Sequence, residues 1–180
     1  MDQLVEFWKL ALKLKDEHRR GWAQRLHIQK IESVADHSFA VAILSFFEAE
    51  RRGYNTLRVL QMALIHDLEE AMIGDLTPKD KRALSPEVLS RRKENANQQV
   101  LLRLPSKMAR QYREVLRELK TGRTREARLV KNLDKFEMAL QAWSYETRGT
   151  SHVELKDFYR SALLGIKDSN LKKTLNRTLE

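Results

Sequence analysis

The 180-residue sequence contains no cysteine. That absence excludes a disulfide framework, a thiolate zinc site and a cysteine nucleophile, so any metal must rest on nitrogen and oxygen donors. Proline and glycine are scarce, at three and six residues. Both interrupt helices, and with leucine, alanine, glutamate, lysine and arginine dominating, their scarcity predicts an all-α protein. Long hydrophobic runs are missing too: the longest, Phe39 to Phe47, is broken by Ser45 and is too short to cross a bilayer. The opening MDQLVEFWKLALKLKDEHRR starts on an acid and mixes charge with apolar residues, unlike a secretory signal. A soluble cytoplasmic protein with no membrane association is expected. The length fits one domain over 1–180, enough to bury roughly 70% of the surface its unfolded chain exposes.

What is present is charge, 34 lysines and arginines against 25 acids, for a net +9. The basic residues are spread along the chain, with only short clusters such as Arg19-Arg20 and Arg91-Arg92-Lys93. A nucleic-acid arm would be denser, so the charge reads as a solvated exterior. A basic helical module on nucleic acid is the alternative from another class; it predicts steeply salt-dependent binding and no turnover.

Apolar periodicity and punctuation divide the chain into helices. The first covers 2–17 and stops at Arg19-Arg20-Gly21-Trp22. A second starts at Ser33, where Ser33 and Asp36 form a capping box, and runs to Arg52 before Gly53. A third runs from Asn55 or Thr56 to Met72, with Gly74 as its C-terminal stop. Thr77-Pro78 and Ser85-Pro86 open a short turn and a helix to Leu104, because a hydroxyl before proline caps a helix start. Pro105-Ser106 begins another, ended by Thr121-Gly122; Thr124 caps a long one to Arg148, and helices at 154–166 and 169–179 close the chain. Residues 77–123 read as a charged helical insertion that can serve as a lid.

Three of these apolar segments carry His37, the pair His66-Asp67, and Asp134: two imidazoles and two carboxylates, a set suited to a divalent metal. Neighbouring helix residues point about 100° apart, so His66 and Asp67 can grip one ion only over their shared edge or where the helix ends. Glu70, four residues after His66 and three after Asp67, falls on the same side. From there it can reach a water activated by the ion and move its proton, which is the chemistry a phosphoester needs. Singly, each residue has a blander reading: a histidine on an apolar helix is usually a hydrogen-bonded core residue, and Asp134 can pair with Lys131 or Lys135. Yet Leu133, Phe136, Met138 and Ala139 surround Asp134 with apolar residues, where an unpaired carboxylate is costly and a cation would satisfy it. His18, His27 and His152 lack such context and read as surface or loop residues.

The ESVADH, LIHDLEEAMIGD and VKNLDKFEM segments, in that order, resemble the HD-domain metal-dependent phosphohydrolases, and their flanks resemble the 5'-deoxynucleotidase branch. The resemblance covers about residues 19 to 160. It implies a single-domain HD helical bundle with one divalent ion (Mn, Co, Fe, Ni, Zn or Mg) on His37, His66, Asp67 and Asp134. It further implies Glu70 as the catalytic carboxylate and Asp75, in IGDLTP, organising sugar and attacking water. Members of the branch carry an arginine and a tryptophan before the first histidine, for phosphate and deoxyribose. Here Trp22 matches, but Gly21 stands where bacterial members have arginine, and Arg19, Arg20 or Arg25 is left to hold the phosphate. The RxGW form is similar to eukaryotic and archaeal relatives. The implied reaction is hydrolysis of deoxyribonucleoside 5'-monophosphates by a homodimer; an HD enzyme acting on triphosphates or a signalling nucleotide is the nearest alternative.

Overall fold

The computed structural model describes residues 2–179. Its named elements are all α-helices, eleven among the described residues: α1 Gln3–Lys13, α2 Arg20–Ala23, α3 Val34–Arg52, α4 Thr56–Ile65, α5 Glu70–Ile73, α6 Pro78–Arg82, α7 Pro86–Leu101, α8 Ser106–Thr121, α9 Arg125–Thr147, α10 His152–Gly165 and α11 Ser169–Leu179. The all-α expectation holds. None of these helices is long and apolar enough to cross a membrane.

Most starts are where side-chain caps demand them. Ser33 and Asp36 exchange hydrogen bonds, Ser33 N donating to Asp36 Oδ2 at 2.9 Å and Asp36 N to Ser33 Oγ at 3.1 Å, as the capping box requires. Thr77 closes a second box with Asp80, and Ser85 and Thr124 cap α7 and α9. Each such cap contributes about 1 kcal/mol by satisfying amides that the first turn leaves without partners.

Beyond shifts of a few residues at the ends of α7 and α10, three differences from expectation stand out. The first helix ends at Lys13 rather than 17, in a turn whose amides bond back to Ala11, Leu12 and Lys13 carbonyls. Arg20–Ala23, expected as loop, forms the single turn α2, and His18 pairs with Ser33 in an isolated bridge. The expected helix from 56 to 72 is two, α4 and α5, separated at 66–69.

Two units make up the chain: one from the segments up to Ser38 and Ile65–Arg117, the other from Phe39–Leu64 and from Glu118 onward. In the first, Leu10 and Leu14 of the N-terminal segment, Val34, Leu68, Val100, Leu101, Leu104, Tyr112 and Leu116 form one buried cluster. Five of these nine lie in 77–123, so the charged segment is helical as expected but supplies core rather than only a cover. Its apolar positions are diluted among charges, which hides their periodicity. In the second unit α9 packs along α10 and α11. Ala139, Ala142 and Ala162 are fully buried there, their small side chains letting backbones approach closely.

Candidate metal and active site

Segment ends build the site in the first unit. His37 sits in the opening turn of α3, which the Ser33–Asp36 box fixes, and is fully buried. His66 and Asp67 occupy the break between α4 and α5, so the 100° that would separate them on a continuous helix no longer applies. Their ligand atoms converge. His37 Nε2 lies 3.3 Å from His66 Nε2, and Asp67 Oδ2 lies 3.1 Å from His66 Nε2 and 3.8 Å from His37 Nε2.

Two nitrogens bound at about 2.05 Å with a tetrahedral angle would stand about 3.3 Å apart. The imidazole pair therefore has the spacing of two ligands on one ion, and the nitrogen and oxygen donors suit a borderline divalent metal. Asp134 lies mid-way along α9, half-buried, with Lys135 Nζ 3.0 Å from its Oδ2. It belongs to the other unit.

Glu70 opens α5 and is buried, with Oε2 lacking a hydrogen-bond partner. Burial, reinforced by the charges of Asp67 and Asp75 and opposed by Arg19 and Lys81, pushes its carboxyl up to about 9. A carboxyl raised in this way holds its proton more readily than an ordinary glutamate and can exchange it with a group that enters beside it. Asp75 follows Gly74, which has φ +75° and ends α5. Its Oδ2 accepts from Arg20 N at 2.8 Å, and its own amide donates to Glu17 Oε1 at 3.0 Å.

Of the three candidate arginines, Arg19 is brought among the carboxylates, Nη1 at 3.5 Å from Asp67 Oδ2 and Nε at 3.8 Å from Asp75 Oδ2. Arg20 contributes its amide there while its guanidinium stands 3.6 Å from Asp80; Arg25 is exposed after α2. Trp22 is 2% exposed, and its Nε1 donates to buried Glu32 Oε1 at 2.7 Å. His18, His27 and His152 are exposed, His152 beside Glu146 at the start of α10.

Sequence reasoning passed over Glu17, Glu32, Glu69 and Lys93. Glu69 is buried, and Lys93 Nζ reaches its Oε1 at 3.0 Å from α7. Burial pulls the Lys93 ammonium down, but Glu69, with Asp67 and Glu70 beyond, outweighs it and holds the group above the ordinary lysine value. The doubled glutamate of HDLEE was the available signal: Glu70 lies near Asp67 and Asp75, while Glu69 pairs with a cation elsewhere.

The HD domain family matches residues 11–177. The mouse 5'-deoxynucleotidase HDDC2 is 36% identical over 158 residues, 88% of this chain and 77% of that one. The fission yeast 5'-deoxynucleotidase hdd1 is 32% identical over 181 residues, 98% of this chain and 89% of that one. A conserved hypothetical protein from Pyrococcus furiosus superposes with a TM-score of 0.78 at 31% identity, covering 96% of this chain and 99% of its own. With two imidazoles and a carboxylate converging at its His-Asp pair and that likeness over nearly its whole length, the chain belongs to the HD domain family.

Proposed function

We propose that the protein is a metal-dependent 5'-deoxynucleotidase, converting a deoxyribonucleoside 5'-monophosphate and water to deoxynucleoside and orthophosphate. The observation that carries this reading is the convergence of His37, His66 and Asp67 beside a buried Glu70, in a chain whose relatives are 5'-deoxynucleotidases. His37, His66 and Asp67 would hold one divalent ion, with Asp134 taken from the family pattern as the fourth ligand. Bound there, Mn, Co, Fe, Ni, Zn or Mg supplies Lewis acidity and lowers the pKa of water.

The chain's own residues do the rest. Glu70 in its carboxylate form would take the proton of the attacking water and, then protonated, return it to the 5'-oxygen as the P–O bond breaks; a pKa raised above the ordinary carboxylate value suits the return. Arg19 is the arginine we assign to the phosphate. Its guanidinium is already held at the carboxylates by Asp67 and Asp75, and a planar fork fits two phosphate oxygens. Arg20 fixes Asp75 through its amide, leaving that carboxylate to orient sugar and water. Trp22, pinned through Glu32, would set the wall that disfavours a 2'-hydroxyl.

We assign the protein to the cytoplasm and to a homodimer. Support for the dimer comes from α3, where Phe39, Ile43, Phe46 and Phe47 recur at helical spacing and are all exposed. A second copy is the partner that covers such a stripe symmetrically. Purified protein assayed with each metal against deoxy- and ribonucleotides tests the catalytic reading. Orthophosphate from deoxyribonucleoside monophosphates supports it, whereas pyrophosphate or triphosphate from longer substrates would point to another HD activity.

A further inference from the structure

In the second unit, the end of α3, the start of α9 and the turn between α10 and α11 surround a cavity of about 210 Å³. Four cations, Arg52, Arg125, Arg128 and Lys167, line it with one carboxylate, Asp168, while Glu48 and Glu126 pair with Arg52 and Arg125. None of the residues assigned to hydrolysis lines it.

The four cations are not equivalent. Arg52 is committed to the wall: its Nε donates to Glu48 Oε2 at 2.6 Å and its Nη1 to Asp168. Arg125 lies 4.6 Å over the Tyr54 ring and bonds Glu126 Oε1 at 3.0 Å. Arg128 and Lys167 reach only carbonyl oxygens, of Arg123 at 3.2 Å and Leu164 at 2.9 Å, and neither pairs with a carboxylate among the described residues. Two arginines one helical turn apart repel each other, and a lysine facing the same cavity adds to that repulsion. An anion between them removes the cost.

Size and donor type narrow the anion. Pockets that enclose drug-sized ligands run to about 300–1,000 Å³, so this one is too small for a whole nucleotide but ample for a phosphate group. Guanidinium and ammonium donors together are suited to phosphate oxygens. We propose that this cavity is a second phosphate site, separate from the hydrolytic one, that takes either free orthophosphate or the phosphate end of a nucleotide whose base stays outside.

The proposal stands apart from the catalytic reading, since binding and phosphate release are measured independently and either can fail alone. The test titrates the metal-loaded, ¹⁵N-labelled full chain with inorganic phosphate and, separately, with a non-hydrolysable nucleoside phosphonate. Saturable shifts at the amides of Arg128, Leu129, Asn132 and Asp168 are expected at millimolar probe, with affinity falling at least about tenfold in R128E/K167E. Phosphate release from a deoxyribonucleoside monophosphate should stay within about twofold in that variant. Shifts with phosphate identify the free ion as ligand, and shifts with the phosphonate alone identify a nucleotide end. Both side chains are exposed, and the neutral pair R128Q/K167Q serves if charge reversal disturbs folding. No shift at these amides with either probe, or shifts undiminished in the variants, would overturn the proposal.

Discussion

Glu70 combines burial, an unpartnered oxygen and two neighbouring carboxylates, and these make opposite demands on stability and activity. Replacing it by glutamine keeps the shape and removes the titration. Phosphate release by E70Q should fall about 10²–10⁴-fold, the usual contribution of a positioned acid–base group. Stability should move the other way. In chelated protein the folded-state pKa of about 9 lies above the ordinary 4.5, so folding favours the protonated form. The resulting penalty is absent below the unfolded pKa, grows as pH rises from there, and levels off above about 9. Chemical denaturation of chelated wild type and E70Q should therefore give a stability gap in favour of E70Q that widens from pH 5 to pH 9; a constant gap contradicts the assignment. At this scale the sequence made His37, His66, Asp67 and Glu70 legible, because helical spacing and the His-Asp pair are local. It did not separate Arg19 from Arg20 and Arg25, since what sets Arg19 apart, its approach to Asp67 and Asp75, involves residues some fifty positions on. Glu17, Glu32 and Lys93 were hidden for the same reason: each meets its partner through the fold, with no repeat or spacing to mark it.

Among the elements, the break between α4 and α5 is the one the site depends on. An uninterrupted helix would splay His66 and Asp67 apart, and the sequence admitted both readings until Ile65 and Glu70 were seen to bound a turn. Gly74 holds the other end of α5 at φ +75° and ψ 165°, a conformation that side chains other than hydrogen resist. A Cβ there would stand 3.2 Å from Glu17 Oε1, the acceptor of the Asp75 amide. G74A should cost about 1–3 kcal/mol in denaturant unfolding and lower turnover by shifting Asp75; unchanged activity in a folded variant would separate Asp75 from the reaction. The α7–α8 segment teaches a different lesson. Its charged composition gives little sign of a core, yet Val100, Leu101, Leu104, Tyr112 and Leu116 are buried together. L116A should cost about 2–5 kcal/mol, measured by the same unfolding curve, as for a buried leucine rather than a surface residue. A value near zero would show that Leu116 does not support the core.

On the scale of the whole molecule, the all-α class was legible from scarce glycine and proline, because little in the chain can stop a helix. The net charge of +9 was correctly uninformative about fold, and part of it gathers around one cavity, which composition cannot reveal. The exposed stripe of α3 was hidden in the opposite way: Phe39, Ile43, Phe46 and Phe47 look in sequence like core. If a second copy covers them, I43D/F47D should sediment as a monomer where the wild type sediments as a dimer. An unchanged sedimentation coefficient would remove that face from the interface.

The most direct test of the central claim is release of orthophosphate from deoxyribonucleoside 5'-monophosphates by chelated protein reloaded with each divalent metal in turn. The account predicts no turnover without metal, turnover restored by at least one ion, and slower release from the matching ribonucleotides. Absence of orthophosphate from every monophosphate with every metal would contradict it.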